Sequence, residues 1–101
     1  MKAGSIVVMS LHSPREKFFG RILEVSAAGV TARGVDLNAF EDWMNHINHN
    51  EESGVQPSTT FFPLHRVEKI MLDENIGAVP SLANTFLSRV GVAVHNHLES
   101  Q

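Results

Sequence analysis

Residues 17–25, Lys-Phe-Phe-Gly-Arg-Ile-Leu-Glu-Val, are the stretch that decides the predicted fold. Their apolar and aromatic side chains are typical of a β-strand, in which successive side chains point to opposite faces. Phe18 and Phe19 therefore face opposite ways, and both faces of this strand need cover. Gly20 has no Cβ, which predicts a sharp bend or a close backbone approach at this point. Small barrels need such bends in order to close.

Four other segments have the composition of short strands, at residues 5–12, 30–35, 59–62 and 66–72. Residues 13–16, Ser-Pro-Arg-Glu, are predicted to form a turn, because proline fixes φ and serine bonds its own backbone. Residues 26–29, Ser-Ala-Ala-Gly, are predicted to form a hairpin turn that ends on a glycine. Pro63 cannot donate a hydrogen bond to a neighbouring strand, so it is expected to end the fourth strand.

The spacing of apolar residues changes after the third strand and predicts a short helix over residues 39–49. Four side chains recur there at positions i, i+3, i+4 and i+7, namely Phe40, Trp43, Met44 and Ile47. Asn38 is the predicted N-cap, and Glu41 three residues later completes a capping box. The apolar stripe is expected to pack on the sheet rather than to form an exposed ridge for a partner.

A second helix is predicted over residues 82–90, with Ser81 as its N-cap and Gly91 as its C-terminal stop. Residues 1–91 are expected to form a single domain, and residues 92–101 a frayed tail. Five short strands bury their edges best as a partly open barrel. The predicted fold is therefore mainly β: a small, five-stranded, strongly bent antiparallel barrel with a helix between strands 3 and 4 and a C-terminal helix.

The composition is that of a folded domain in a reducing compartment. With 101 residues, 43% of them hydrophobic and 19% charged, the chain can bury one modest core. No apolar run approaches the roughly 20 residues that span a bilayer, so no membrane association is predicted. The lack of cysteine excludes disulfides and favours a cytoplasmic location. Residues 36–57 contain five acidic side chains and no lysine or arginine, so a nucleic-acid surface is expected elsewhere.

Two segments resemble the motifs of the Sm-like (LSm and Hfq-type) family of small β-barrels. Residues 17–23 are similar to the first half of its first motif, an apolar strand with a glycine followed by a leucine. Residues 61–70, Phe-Phe-Pro-Leu-His-Arg-Val-Glu-Lys-Ile, are similar to its second motif, in which a turn joins two short strands. The chain departs from the family where Ser26 and Gly29 replace an aspartate and an asparagine. It departs again at Leu64, where Hfq has a lysine.

The resemblance implies an SH3-like (Sm-like) barrel that assembles into a homo-oligomeric ring of about five to seven subunits. In this family the fourth strand of one subunit pairs with the fifth strand of the next, and turns near the pore bind single-stranded, uridine-rich RNA. The positions implied nearest to RNA are Ser26, Gly29, His65 and Arg66. The positions implied at the subunit interface are Thr59, Thr60, Phe61, Phe62 and Val67.

Two aromatic pairs argue for a neighbouring subunit independently of the family. Phe18-Phe19 and Phe61-Phe62 each lie within a predicted strand, so each pair points one ring to each side of the sheet. If one side is core, the second ring of each pair is exposed unless a helix or another subunit covers it.

Two functions are open at this point. The first is a ring that binds single-stranded RNA near its pore. Four basic residues would give it a positively charged face: Arg15, Lys17, Arg21 and Arg33. The second is a structural or protein-interaction module that keeps the ring and has lost RNA binding, with residues 36–57 and the C-terminal helix as its partner surface. The net charge of −3 favours the second, as does the simplest interpretation of Arg66, a pair with Glu68 or with a carboxylate of residues 36–57.

Six histidines raise the question of a metal site. His46 and His49 lie three residues apart on the predicted first helix, with Asp42 four residues before His46. His95 and His97 alternate near the end of the chain. None of these spacings matches a recognised zinc site, so no metal and no cofactor are predicted. The sequence has no nucleophile motif, phosphate-binding glycine loop or patterned pair of carboxylates, so no enzymatic activity is predicted.

Overall fold

The computed structural model describes residues 1–99, which form a mainly β structure with two helices. The strands are β1 (Ile6–Leu11), β2 (Glu16–Val25), β3 (Gly29–Asp36), β4 (Ser58–Pro63) and β5 (Val67–Leu72). The helices are α1 (Phe40–Asn48) and α2 (Leu82–Val90), and short 3-10 turns cover Leu37–Ala39, Leu64–Arg66 and Val94–His97. The predicted order of elements is confirmed. Within the described residues, no helix has the length and apolar character that crossing a bilayer requires.

The five strands form one antiparallel sheet in the order β4-β3-β2-β1-β5. Within residues 1–99, β4 and β5 do not pair with each other, so the sheet is unclosed and these two strands are its edges. The sheet curves strongly all the same. The rings of Phe18 on β2 and Phe62 on β4 meet edge to face, with centroids 4.9 Å apart, although β3 runs between their strands.

Two strands approach closely at a pair of glycines, as the position of Gly20 predicts. Gly20 on β2 lies opposite Gly34 on β3. A Cβ on Gly20 would overlap the carbonyl of Arg33, and a Cβ on Gly34 would overlap the carbonyl of Phe19. Any larger residue at either position therefore forces the two strands apart.

Both faces of the sheet are packed, because the alternation along each strand supplies apolar side chains to each. The concave core, on the inner face of the curve, consists of Val7, Met9, Leu11, Phe18, Ile22, Val30, Ala32 and Phe62. The helix-side core, on the other face, consists of Phe19, Val35, Phe40, Trp43, Met44, Phe86, Val94 and Leu98. Burying one large apolar side chain contributes about 1.5–3 kcal/mol, so these two cores hold the fold. The stripe on α1 packs on the sheet, as predicted.

The start of α1 differs from the prediction. The carboxylate of Asp36 accepts a hydrogen bond from the backbone N–H of Asn38, with an O···N distance of 2.8 Å. This bond caps the 3-10 turn Leu37–Ala39, and α1 then begins at Phe40 with no side-chain cap of its own. The predicted N-cap at Asn38 is therefore wrong, because Asn38 already lies inside the 3-10 turn that Asp36 caps.

Helix α2 has the predicted bounds and both predicted caps. Ser81 Oγ accepts from the N–H of Asn84 at 3.0 Å, and Gly91 ends the helix in the left-handed conformation with a φ of 86°. A third residue, Asp73, was not predicted to take part. Its two carboxylate oxygens accept from the N–H groups of Leu82 and Ala83, at 2.8 and 2.9 Å. The first turn of α2 is thus bonded to the residue that follows β5.

The expectation of a frayed tail after Gly91 is wrong as far as residue 99. Val94 is 2% exposed and Leu98 is fully buried, and both pack in the helix-side core. The 3-10 turn Val94–His97 brings them to the same side, which a four-residue apolar spacing allows. Residues 100–101 of the predicted tail lie outside the described residues.

Candidate functional site

The two turns that the family resemblance points to lie side by side. Ser26 and Gly29 close the hairpin turn through reciprocal backbone hydrogen bonds of 2.9 and 3.3 Å. The N–H of Leu64, which opens the β4–β5 turn, donates to the carbonyl of Ala28 at 2.9 Å. The segment that carries His65 is therefore joined to the segment that carries Ser26 and Gly29.

Gly29 has a structural role at this junction. A Cβ there would overlap the carbonyl of Phe62 and crowd the ring of Phe61. The glycine lets β4 approach the end of the hairpin turn, so its presence needs no ligand to explain it. His65 is exposed in the neighbouring turn.

Arg66 is bound to its own chain. One guanidinium nitrogen, Nη1, donates to the carbonyls of His12 and Pro14 at 3.4 and 3.2 Å. The other, Nη2, lies 3.4 Å from a carboxylate oxygen of Glu16. The simple ion-pair interpretation of Arg66 is supported, but with Glu16 in place of Glu68, because the side chain reaches back over the β1–β2 turn. We call this set of contacts the Arg66 clamp.

The interface positions implied by the resemblance are divided between edge and core. Phe61 is 50% exposed on β4, whereas Phe62 is buried in the concave core and leaves only its backbone at the edge. Thr59 accepts a hydrogen bond from Arg33, and Val67 is half-buried at the start of β5. Further large apolar side chains are exposed on or beside the two edge strands, at Leu64, Met71 and Leu72.

The histidines of α1 close the end of that helix. Nδ1 of His46 accepts from the N–H of Val55 at 2.8 Å, while its Nε2 lies 3.3 Å from a carboxylate oxygen of Glu51. Nδ1 of His49 donates to the carbonyl of Asn45 at 2.7 Å. His46 also lines an open cavity of about 270 Å³, with His97 on another side. Among residues 1–99, no three histidine, aspartate or glutamate side chains are grouped closely enough to hold a metal ion.

The basic residues do not form one continuous patch. Arg21 and Arg33 lie opposite each other on β2 and β3. Arg15 and Lys17 lie at the other end of β2, where they share a cavity of about 220 Å³ with Lys69 of β5. The structure therefore separates the four residues of the predicted basic face into two groups.

One group of polar residues was missed by the sequence interpretation. Ser10 on β1 lies directly opposite Lys17 of β2 on one side and Lys69 of β5 on the other. These three form a row across the sheet, called the polar row below. The alternation of polar residues in each strand is visible in the sequence, but the register that aligns them is not.

Comparisons with known proteins do not indicate a function for this chain. No family model, no curated protein and no solved structure matches this chain. The side chains described above are therefore interpreted through their own contacts and exposure.

Proposed function

We propose that this chain is an Sm-like subunit of a homo-oligomeric ring and that the ring serves as a structural or protein-interaction module. One observation carries the proposal. The sheet has two open edges, β4 and β5, and exposed apolar side chains lie on both. Pairing of β4 in one subunit with β5 in the next satisfies both edges and covers those side chains.

The backbone of β4 has hydrogen-bond donors free for such pairing. Since the N–H of Leu64 points towards β3, alternation along an antiparallel strand directs the N–H groups of Thr60 and Phe62 the same way. Those of Thr59 and Phe61 then point to the open side. An exposed row of this kind is a template for another strand.

The backbone of β5 is arranged in the same manner. The N–H of Asp73 donates to the carbonyl of Ile6 at 2.9 Å, which turns the N–H groups of Met71 and Lys69 towards β1. Those of Ile70 and Leu72 then point to the open side. Two different edges that pair head to tail generate a ring when the rotation between subunits closes.

The exposed side chains favour pairing over solvation. Phe61 on β4 is 50% exposed, and Met71 and Leu72 on β5 are 43% and 46% exposed. Natural edge strands are normally protected by charge, proline or a covering segment, and large apolar residues at an edge indicate an intended neighbour. Of the two aromatic pairs, only the second leaves a ring uncovered within one chain, since Phe18 and Phe19 are both buried.

The partner surface that we propose is the outer face of the two helices. Nη2 of Arg89 on α2 lies 3.1 Å from a carboxylate oxygen of Glu41 on α1, so the helices present one connected surface. Asp42 on α1 and Leu87 on α2 are exposed there. A mixed acidic and apolar surface suits a protein partner and disfavours a polyanion.

The test is the mass in solution of two variants at one position. Phe61→Thr removes the exposed ring but keeps the outward N–H, whereas Phe61→Pro removes both. We expect the wild type to be a closed oligomer by light scattering after size exclusion, Phe61→Thr to dissociate more readily, and Phe61→Pro to be monomeric. Circular dichroism checks that each variant keeps its strands.

A wild type that remains monomeric over a wide range of concentration overturns the proposal. It is also overturned if Phe61→Pro folds and keeps the full oligomeric mass, since β4 would then not be the interface.

RNA binding is the second candidate, and one contact favours it. The bond between Leu64 and Ala28 brings the two turns of the resemblance together with His65 exposed. An exposed imidazole at a loop can stack on an unpaired base. The Arg66 clamp argues the other way, because it occupies the guanidinium that would grip a phosphate.

Titration with short oligouridine and oligoadenosine at low and moderate salt tests this second candidate. If it holds, His65→Ala weakens oligouridine binding, while His95→Ala, the same change outside both turns, does not. No binding at either salt excludes it, and so does equal weakening by the two substitutions.

A further inference from the structure

The polar row lies on the helix-side face of the sheet, one step beyond the cover of the helices. Val8, Phe19 and Met71 are opposite one another on β1, β2 and β5, and Val8 and Phe19 belong to the helix-side core. Two residues further along each strand, the same face carries Ser10, Lys17 and Lys69. Directly opposed residues have Cβ atoms about 5 Å apart, so both lysines flank the serine.

The serine hydroxyl is buried and has no hydrogen-bond partner. Ser10 is 5% exposed, and its Oγ is one of two buried side-chain polar atoms without a partner among residues 1–99. The other is Nε of Arg21, at a different place on the sheet. Buried hydroxyls are normally bonded, and an orphaned one needs an explanation. Ser10 lines the 220 Å³ cavity, and because its hydroxyl has almost no accessible surface, a rotation of this side chain would be needed to bring it to a ligand there.

The cations around the cavity are also unpaired. Arg15, Lys17 and Lys69 line it, and within the described part of the chain none of the three takes part in an ion pair. Two carboxylates line it as well, those of Glu16 and Glu68.

The Arg66 clamp neutralises the charge of one of these two carboxylates. Glu16 is paired with Arg66, whose other nitrogen holds the carbonyls of His12 and Pro14. The clamp thus neutralises Glu16 and fixes the turn on which Arg15 stands. Three cations then face the one remaining carboxylate, that of Glu68, so this corner of the protein is positive although the whole chain carries −3.

We propose that the polar row and its cavity bind a dianionic phosphate group, either inorganic phosphate or the terminal phosphate of a small ligand. Ser10 donates its hydroxyl proton to a phosphate oxygen, and Lys17, Lys69 and Arg15 balance the charge. Arg66 is a positioning residue that holds the turn. The proposal does not depend on ring assembly.

Size and charge select this ligand class. Pockets for drug-sized molecules are typically about 300–1,000 Å³, so a cavity of 220 Å³ suits one phosphoryl group better than a whole nucleotide. Three unpaired cations match two negative charges on a terminal phosphate better than the single charge of each internal phosphodiester.

Edge pairing leaves the site open. Side chains of a strand stand perpendicular to the sheet, whereas a neighbouring strand adds in the plane of the sheet. Ser10 and Lys17 lie on inner strands, and Lys69 points off the face of β5. The site is therefore accessible in a monomer and in a ring.

Calorimetric titration of the purified full chain with inorganic phosphate tests the proposal, with sodium chloride at matched ionic strength as the baseline. We expect saturable binding, which Ser10→Ala and Lys69→Gln each weaken about tenfold by removing a charge-assisted hydrogen bond. Glu68→Gln removes the unpaired carboxylate and should tighten binding. Lys2→Gln, the same charge change before the opposite end of β1, is the matched control and should change affinity less than twofold.

The thermal midpoint separates a binding role from a structural one. Removing an unsatisfied hydroxyl should raise the melting temperature of Ser10→Ala without phosphate, while its affinity for phosphate falls. The proposal is overturned if phosphate does not bind above the chloride baseline, or if Ser10→Ala binds it as the wild type does. It is also overturned if Lys2→Gln weakens binding as much as Lys69→Gln, or if oligouridine binds through Lys69 and inorganic phosphate does not.

Discussion

The two faces of the sheet are filled in different ways. The concave core is built by the strands alone, because curvature brings Phe18 on β2 against Phe62 on β4. The helix-side core is completed by segments from elsewhere in the chain, from Phe40 on α1 to Leu98 near the C-terminus. The curved sheet covers its inner face with its own side chains, whereas the helices cover only part of the opposite face.

The difference shows where a small β-domain has room for a site. Within residues 1–99 the concave core contains only apolar side chains, and a polar group there would have nothing to bond. On the other face, β1 changes from the apolar Val8 to the polar Ser10 two residues later, where the cover of the helices ends. The rim of the helix-side core is where polar groups can be buried and still be reached.

The largest expected effect comes from the concave core. Phe18→Ala removes one ring of the Phe18–Phe62 contact and leaves a cavity that the strands cannot close, so we expect a loss of about 3–5 kcal/mol in the free energy of unfolding. Urea denaturation below the concentration of assembly measures it. Phe61→Ala is the matched control, expected to change subunit stability by less than about 1 kcal/mol. Equal losses would contradict the assignment of Phe18 to the core and Phe61 to the surface.

A smaller loss is expected from the end of the chain. Leu98→Ala removes a fully buried side chain from the helix-side core and should cost about 2–4 kcal/mol. Glu99→Ala, one residue later, keeps the backbone carbonyl that accepts from Arg33 and should change stability by less than about 0.5 kcal/mol. If the two variants unfold at the same urea concentration, this segment does not belong to the core.

The Arg66 clamp is expected to contribute less again, because its contacts are partly exposed to water. Arg66→Ala should lower the free energy of unfolding by about 1–2 kcal/mol and speed hydrogen exchange in the β1–β2 turn. Arg66→Lys keeps the charge beside Glu16 but not the forked donors to His12 and Pro14, so it should restore only part of the loss. Full rescue by lysine would show that charge alone holds the turn.

The smallest effect has the opposite sign. Ser10→Ala removes a buried hydroxyl that has no partner, so we expect a gain of about 1 kcal/mol in phosphate-free buffer. In saturating phosphate the gain should disappear, since the ligand stabilises the wild type more than the variant, by up to about 1.4 kcal/mol for a tenfold difference in affinity. Ser58→Ala on β4, whose hydroxyl is exposed and bonded to Thr60, is the control and should show neither change. A gain that persists in phosphate would contradict the binding role of Ser10.

Local signals in the sequence predict the elements well, and they fail where two signals compete. Ser81 and Gly91 bound α2 as predicted, because Asp73 takes different N–H groups of the first turn and leaves that of Asn84 to Ser81. Asp36 displaces Asn38 as the cap, since its carboxylate accepts from the N–H of Asn38 and draws that residue into a 3-10 turn. Leu98 was assigned to a tail because no pattern continues around it, although a single buried leucine is enough to anchor a turn.

The polar row could not be predicted because it depends on register. Lys17, Ser10 and Lys69 belong to three strands, and a shift of one residue in either pairing would send one of them to the other face. The partner of Arg66 was missed for a similar reason. Glu68 is near it in sequence, whereas Glu16 is near it only after β1 has paired with β5 and β2.

Asp73 joins an edge strand to a helix and has a mechanical consequence. Its N–H is bonded to β1 and its carboxylate to the first turn of α2. The end of β5 and the start of α2 are therefore expected to move as one unit. The turn around Gly77, which reciprocal hydrogen bonds between Ile76 and Val79 close, lies outside this connection and forms its tip. The tip can therefore be lengthened without altering the angle between strand and helix.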